Sequence, residues 1–180
     1  MSRRRYLTQQ FHDAPPKFNA AQRQRHLYLE SAFIDEVLSK VRGSENKVYI
    51  ALAYCYFKVS FQFFDTAYTK DLNYIARKLS APHHNLNWER YQRDTQQNHK
   101  KLILNFMGCC HFEDAKAQTT TIHFIERHSR TRKPFKECFC QLATKLHKER
   151  IEIPSYTKLE KIITAVYADH ESRLLKIGLF

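Results

Sequence analysis

The residues with the most legible chemistry lie in one run, 88–101, which reads Trp-Glu-Arg-Tyr-Gln-Arg-Asp-Thr-Gln-Gln-Asn-His-Lys-Lys. Arginine and lysine grip phosphates, and Arg, Gln and Asn also make paired hydrogen bonds to base edges. Carboxylates are sparse in the run, as suits a surface that meets a polyanion. Read as a helix, it leads straight into the apolar row Leu102, Ile103 and Phe106. One face then packs into a core while the other presents Arg, Gln, Asn, His and Lys together. Arg90, Arg93, Gln96, Gln97, Lys100 and Lys101 are the candidate contacts. Arg93 and Gln97 are one turn apart and share a face, which makes them the better candidates for reading bases.

Three further basic groups point the same way. Arg3, Arg4 and Arg5 form an N-terminal arm of the kind that enters a minor groove. Arg42, Asn46 and Lys47 surround the start of a helix, where the positive end of the dipole also favours phosphate. Arg130, Arg132 and Lys133 make a basic loop ahead of Pro134. Each group alone matches an ordinary solvated surface; together they describe a protein that binds nucleic acid.

Other chemistries find little support. Cys109-Cys110-His111 and Cys138-Phe139-Cys140 lack the doubled two-to-four-residue spacing of structural zinc, and Cys138 shares an apolar face with Phe135 and Leu142. No metal and no cofactor is expected. The chain has no glycine-rich phosphate loop, metalloprotease helix or nucleophile elbow. His83-His84 reads as solvated, and Asp65, Asp71, Asp94, Asp114 and Asp169 as first-turn or surface carboxylates. No intrinsic enzymatic activity is expected.

These residues need helices to hold them. Pro15-Pro16 closes the arm, and Asn19 caps a short helix over 20–26. Apolar spacing predicts a second helix over 31–41, ended by Gly43, and a third over 44–59 capped by Ser44. Residues 48–57 are apolar nearly all round, so this third helix is central. A fourth starts near Thr69, with Leu72, Ile75 and Ala76 inward and Arg77 and Lys78 outward. The stretch 80–87 reads as a linker. After the basic helix come a break near Gly108, a helix over 114–128, an amphipathic helix from Phe135 to Leu146, and a last helix capped by Ser155 and carrying Leu159, Ile162, Ile163 and Val166.

Composition agrees. The chain has 180 residues with only 3 Gly and 5 Pro, few breakers for a β fold. Its 13 Phe and 10 Tyr exclude a disordered chain. A chain of this length buries roughly 70% of its unfolded surface. The net charge of +12 and sequence pI of about 9.6 favour nucleic acid as partner. No apolar run approaches the ~20 residues of a membrane span, and no signal core follows the basic N-terminus. Five cysteines, an odd number, fit a reducing cytoplasm, with association to the nucleoid through DNA.

Three ordered blocks then resemble the N-terminal region of the Tn-three family of bacterial replicative transposases. The first is Arg42-Gly43-Ser44-Glu45-Asn46-Lys47 with Ala51, Cys55-Tyr56-Phe57-Lys58 and Phe63-Phe64. The second is 88–99 followed by Phe106-Met107-Gly108 and Phe112. The third is Glu149-Arg150-Ile151-Glu152-Ile153-Pro154-Ser155-Tyr156 with Leu159 and Ile162-Ile163. The opening Arg3-Arg4-Arg5-Tyr6-Leu7-Thr8 fits too. Three departures stand out: Tyr49 where many members have Gly, Ser60-Phe61 where a Pro-Gly is common, and Gln96-Gln97 where many have Arg-Arg.

The resemblance implies helix-turn-helix-like modules that bind terminal inverted repeats during transposition and DNA recombination, with the catalytic carboxylates far downstream. The expected fold is all-α: a first DNA-binding module over 1–80, a second over 88–150, and a C-terminal amphipathic helix over 151–180 that begins a dimerisation or connector domain. The expected partner is double-stranded DNA at transposon ends, with pairing to a second copy or to a full-length transposase. The alternative is a short regulatory protein that pairs with a full-length transposase through Ile162, Ile163 and Val166 and restrains it.

Overall fold

The computed structural model describes residues 13–82, 86–130 and 135–176. Among them the fold is all-α, with eight α-helices and no strand; a lone parallel bridge joins Cys110 to Ile151. The chain divides into two units between Cys109 and Cys110. This differs from a boundary at 80–87: the basic helix belongs with the first unit, and the last helix is not a separate piece.

In the first unit, helix α1 spans Ala20–His26. Its start is a full capping box, as Asn19 leads one to expect: Gln22 N donates to Asn19 Oδ1 and Asn19 N to Gln22 Oε1, both at 2.9 Å. Helix α2 covers only Ser31–Glu36, and a 3₁₀ turn, Leu38–Lys40, replaces the expected continuation. The tightened turn lets Phe33, Val37, Leu38 and Val41 all reach the core. Gly43 is not the end of α2 but the N-cap of α3, with φ of 83°, and Ser44 is the first helical residue. A side chain at position 43 would be strained.

Helix α3, Ser44–Ser60, is the axis of this unit, and all of 48–57 except Ala53 is buried. It stops where Phe61 takes a left-handed conformation. Helix α4, Thr69–Lys78, buries Leu72, Ile75 and Ala76 and also Asp71. Helix α5, Arg93–Met107, ends at left-handed Gly108.

Asp71 is not a surface carboxylate. It is fully buried, receives Arg23 Nε at 2.5 Å on one oxygen, and receives the Tyr56 hydroxyl at 2.8 Å on the other. That hydroxyl in turn accepts from Tyr68 N at 3.4 Å. One carboxylate thus ties α1, α3 and α4 at a point where none of them can slide without stranding a charge.

The second unit holds α6, Ala115–Ser129, α7, Phe135–Lys148, and α8, Tyr156–Lys176. Ala117, Ile125, Cys138, Leu142, Leu146, Leu159 and Ile163 form its core. Arg150 takes a positive φ of 56°, and the chain then pairs back: Cys110 N donates to Arg150 O and Glu152 N to Cys110 O. Ser155 Oγ accepts from Lys158 N at 3.3 Å, as expected of a cap. Ile163 is fully buried inside this unit, so the apolar face assigned to pairing is partly used within the chain; Ile162 and Val166 are half-buried.

Replacing Asp71 with Ala should lower stability by about 3–5 kcal/mol in urea unfolding, because Arg23 and Tyr56 lose their buried partner. Glu149→Ala removes an exposed i,i+4 pair with Lys145 and should change it by under about 0.5 kcal/mol. Equal effects from the two would show that the Asp71 network does not hold the helices.

Candidate nucleic-acid interface

The run 88–101 is not one helix. Trp88–Arg90 forms a 3₁₀ turn capped by Asn87, whose Oδ1 accepts from Glu89 N at 3.0 Å. The chain then straightens through Tyr91 and Gln92 before α5 begins at Arg93. The cause is aromatic. Residues three apart eclipse in a 3₁₀ turn, so Trp88 and Tyr91 both point inward and are 7% and 5% exposed. They close on Tyr49 of α3, whose ring stacks on Tyr91 (centroids 4.9 Å, planes 25° apart) and meets Trp88 edge-on (5.8 Å, 87°). The Tyr49 hydroxyl donates to Asn87 O at 2.9 Å.

Helix α5 is thereby clamped on one side and open on the other. Its inner face is His99, Ile103 and Leu104. Helical position in the basic run places His99 among the polar contacts; the structure buries it instead, 6% exposed, with Nδ1 2.6 Å from the Tyr91 hydroxyl. Burial pushes its pKa down to about 4 and raises that of the Tyr91 phenol. Both are therefore neutral at pH 7: Tyr91 donates, His99 Nδ1 accepts, and the imidazole proton sits on Nε2. A clue was present in sequence, since His99 lies one turn before Ile103 on the apolar row.

The outer face presents Arg93, Gln97, Asn98 and Lys101, all exposed. Arg93, Gln97 and Lys101 follow at four-residue spacing and form one row. Arg90 is exposed as well, though on the preceding turn and not on the helix. Gln96 and Lys100 are half-buried. Gln96 Nε2 donates to Tyr91 O at 2.9 Å, so its amide nitrogen serves the protein. Lys100 Nζ lies 5.3 Å from the centroid of the Phe63 ring. Both side chains border a small notch lined otherwise by Ala53, Tyr56, Phe63, Phe64, Trp88 and Tyr91.

The first basic group sits at the start of α3. Arg42 is exposed, and Asn46 and Lys47 are half-buried. Asn46 Nδ2 donates to Arg42 O at 3.2 Å. Three positions separate Asn46 from Tyr49, so they share a side of the helix; Lys47, two positions away, lies on another. Since Tyr49 seats the segment 87–91, the start of α3 and the start of α5 belong to one packed unit and not to two modules. Arg130 is exposed at the end of α6 in the other unit. Arg3, Arg4, Arg5, Arg132 and Lys133 lie outside the described residues, as do His83 and His84.

Among the described residues no three His, Cys, Asp or Glu side chains gather to hold a metal ion. Cys55, Cys109 and Cys138 are buried, as small hydrophobes are, while Cys110 is exposed. Burial pushes the Cys55 thiol up to about 12, which leaves it inert. No described helix is long and apolar enough to cross a membrane.

The buried imidazole makes stability depend on pH. Its folded pKa of about 4 lies below the ordinary 6.5, so between those values the unfolded chain binds the proton and the folded chain does not. The contribution of neutral His99 should be complete above pH 6.5 and decline as pH falls to about 4, by roughly 3 kcal/mol in all. Urea midpoints measured across that window should fall for the native protein and fall less for His99→Gln. Parallel curves would mean that other groups govern the acid limb.

A family model described as Domain of unknown function (DUF4158) matches residues 8–166, which takes in the first unit and most of the second. No curated protein and no solved structure matches the chain. On the extent of that match, the chain belongs to the DUF4158 family.

Proposed function

We propose that this protein binds double-stranded DNA sequence-specifically, with α5 as the reading helix. The observation that carries this reading is the two-sided construction of α5. Its inner face is fixed by His99, Ile103 and Leu104 and by the Tyr49–Tyr91 stack, while Arg93, Gln97 and Lys101 stand in an exposed row. A rigid helix with one polar row suits a major groove, where Gln pairs with adenine and Arg with guanine. The net charge of +12 supplies the sequence-independent attraction. Arg42 and Asn46 at the start of α3, Arg90 on the turn before α5 and Lys100 within α5 add phosphate contacts.

The resemblance of three sequence blocks to the Tn-three transposases supports a narrower version. In it the bound DNA is a transposon terminal inverted repeat, and the chain is the end-binding part of a transposase, with no catalysis of its own. The regulatory alternative needs an apolar face free for pairing. Leu159 and Ile163 are spent within the second unit, and the half-buried Ile162 and Val166 offer little more, so DNA binding is the better-supported reading.

Two substitutions separate reading from gripping. Gln97→Ala should weaken the preferred duplex by roughly 1–3 kcal/mol and leave a scrambled duplex unchanged. Lys101→Ala should weaken both alike and flatten the plot of log affinity against log salt by about one unit. Fluorescence anisotropy at four or more salt concentrations gives both numbers. If Gln97→Ala leaves the preferred and scrambled duplexes equally well bound, α5 is not the reading helix.

A further inference from the structure

One donor beside α5 is unaccounted for. Trp88 is 7% exposed, and its Nε1, the only polar atom of the indole, is buried with no hydrogen-bond partner among the described residues. Buried N–H groups are satisfied by protein atoms or, where those do not reach, by ordered water. Trp88 lines the notch, which has room for about one water. Two more polar side chains border the same space. Gln96 spends its Nε2 on Tyr91 O, so its amide offers Oε1 as an acceptor. Lys100, with Nζ 5.3 Å from the centroid of the Phe63 ring, brings ammonium donors. The tyrosine hydroxyls of the lining are engaged elsewhere, Tyr56 with Asp71 and Tyr91 with His99.

Two donors and one acceptor around a space of that size describe the partners of a water. A phosphate oxygen placed inside would accept from Trp88 and Lys100 but face Gln96 Oε1. A water accepts from both donors and gives one proton to Gln96 Oε1, which leaves its second proton for a partner outside. Gln96 and Lys100 each precede a member of the exposed row, Gln97 and Lys101, by one position, so that proton lies at the margin of the face that would meet DNA. Resting on the proposed DNA-binding reading, we infer that Trp88, Gln96 and Lys100 hold one water as a fixed hydrogen-bond donor to a phosphate oxygen of the DNA backbone. A bridging water is nearly as good a link as a direct hydrogen bond, and a backbone contact of this kind fixes the register of α5 on the duplex.

The first test needs no DNA. Trp88 is the one tryptophan of the chain, so the spectrum of the whole isotope-labelled protein holds a single indole N–H signal. That proton should show a cross-relaxation peak to a long-lived water, separated from proton exchange by comparing laboratory-frame and rotating-frame spectra. Absence of the peak overturns the site. The second test uses a duplex that the chain selects from a random-sequence pool, with each phosphate replaced in turn by a neutral methylphosphonate. Trp88→Phe keeps a ring against Tyr49 and Tyr91 but removes the N–H. It should bind the unmodified duplex about three- to tenfold more weakly than the native chain does. It should also be indifferent to methylphosphonate at one position where the native chain is sensitive, and keep native sensitivity at the others. A merely structural role for the indole would weaken binding and leave every position as sensitive as before. In the native chain the indole signal should move on binding the unmodified duplex and stay in place with the duplex modified at that position, a readout that holds even if Trp88→Phe fails to fold. A water peak without any such phosphate position overturns the relay and leaves DNA binding standing. A chain that binds no duplex overturns both.

Discussion

A single buried carboxylate governs the arrangement of the first unit. Asp71 has no contact with water, so its charge is tolerable only while Arg23 and Tyr56 stay in place. Those two residues come from α1 and α3, and Asp71 from α4. Apolar packing among three helices tolerates sliding by a residue or a small rotation; an ion pair at 2.5 Å does not. The network therefore selects one register. It also fixes the ring of Tyr56, which lines the notch beside α5. A buried charge bonded to the hydroxyl of that ring thus helps set the geometry beside α5.

The second constraint is aromatic. Tyr49 is the hub of a cluster with Trp88 and Tyr91. A glycine at that point in α3 would let a neighbouring segment approach the helix backbone. A tyrosine instead holds the segment off at ring distance and anchors it through Asn87 O. The entry to α5 is thus seated by side-chain stacking. The same cluster seats the 3₁₀ turn at Trp88–Arg90 that precedes the helix.

Much of this was legible in sequence, and the misses share a cause. The helices at 20–26, 69–78 and 135–148 follow from spacing and caps, because Asn19, Leu72, Ile75, Phe135 and Leu142 act locally. Residues whose role depends on a partner far along the chain were misplaced. Asp71 is in the first turn of α4, as its position implies, but nothing local marks it as buried, because its ion-pair partner lies forty-eight residues away. His99 sits in a basic run, and only the fold of Tyr91 over it marks it as buried. The boundary drawn at 80–87 failed for the same reason, since Tyr49 joins the two sides of that segment and no local signal records it. Of the candidate contacts, Arg93, Gln97 and Lys101 are on one exposed row, as helical spacing implies; Gln96 turned inward because a carbonyl at Tyr91 needed a donor.

That last detail bears on what the helix can distinguish. Where the resembled family often has two arginines, this chain has Gln96-Gln97. If both amides faced DNA, the pair would simply trade two charges for two adenine readers. Gln96 instead spends its nitrogen inside the protein, which leaves Gln97 as the free amide on the row. On the proposed reading, α5 then relies on few base contacts: one amide and one arginine. Few contacts discriminate well only when each is held still. The clamp of Tyr49, Tyr91 and neutral His99 under α5 provides that rigidity. Burial keeps the His99 imidazole neutral, so its Nδ1 accepts from the Tyr91 hydroxyl and holds that clamp closed beneath the outer row.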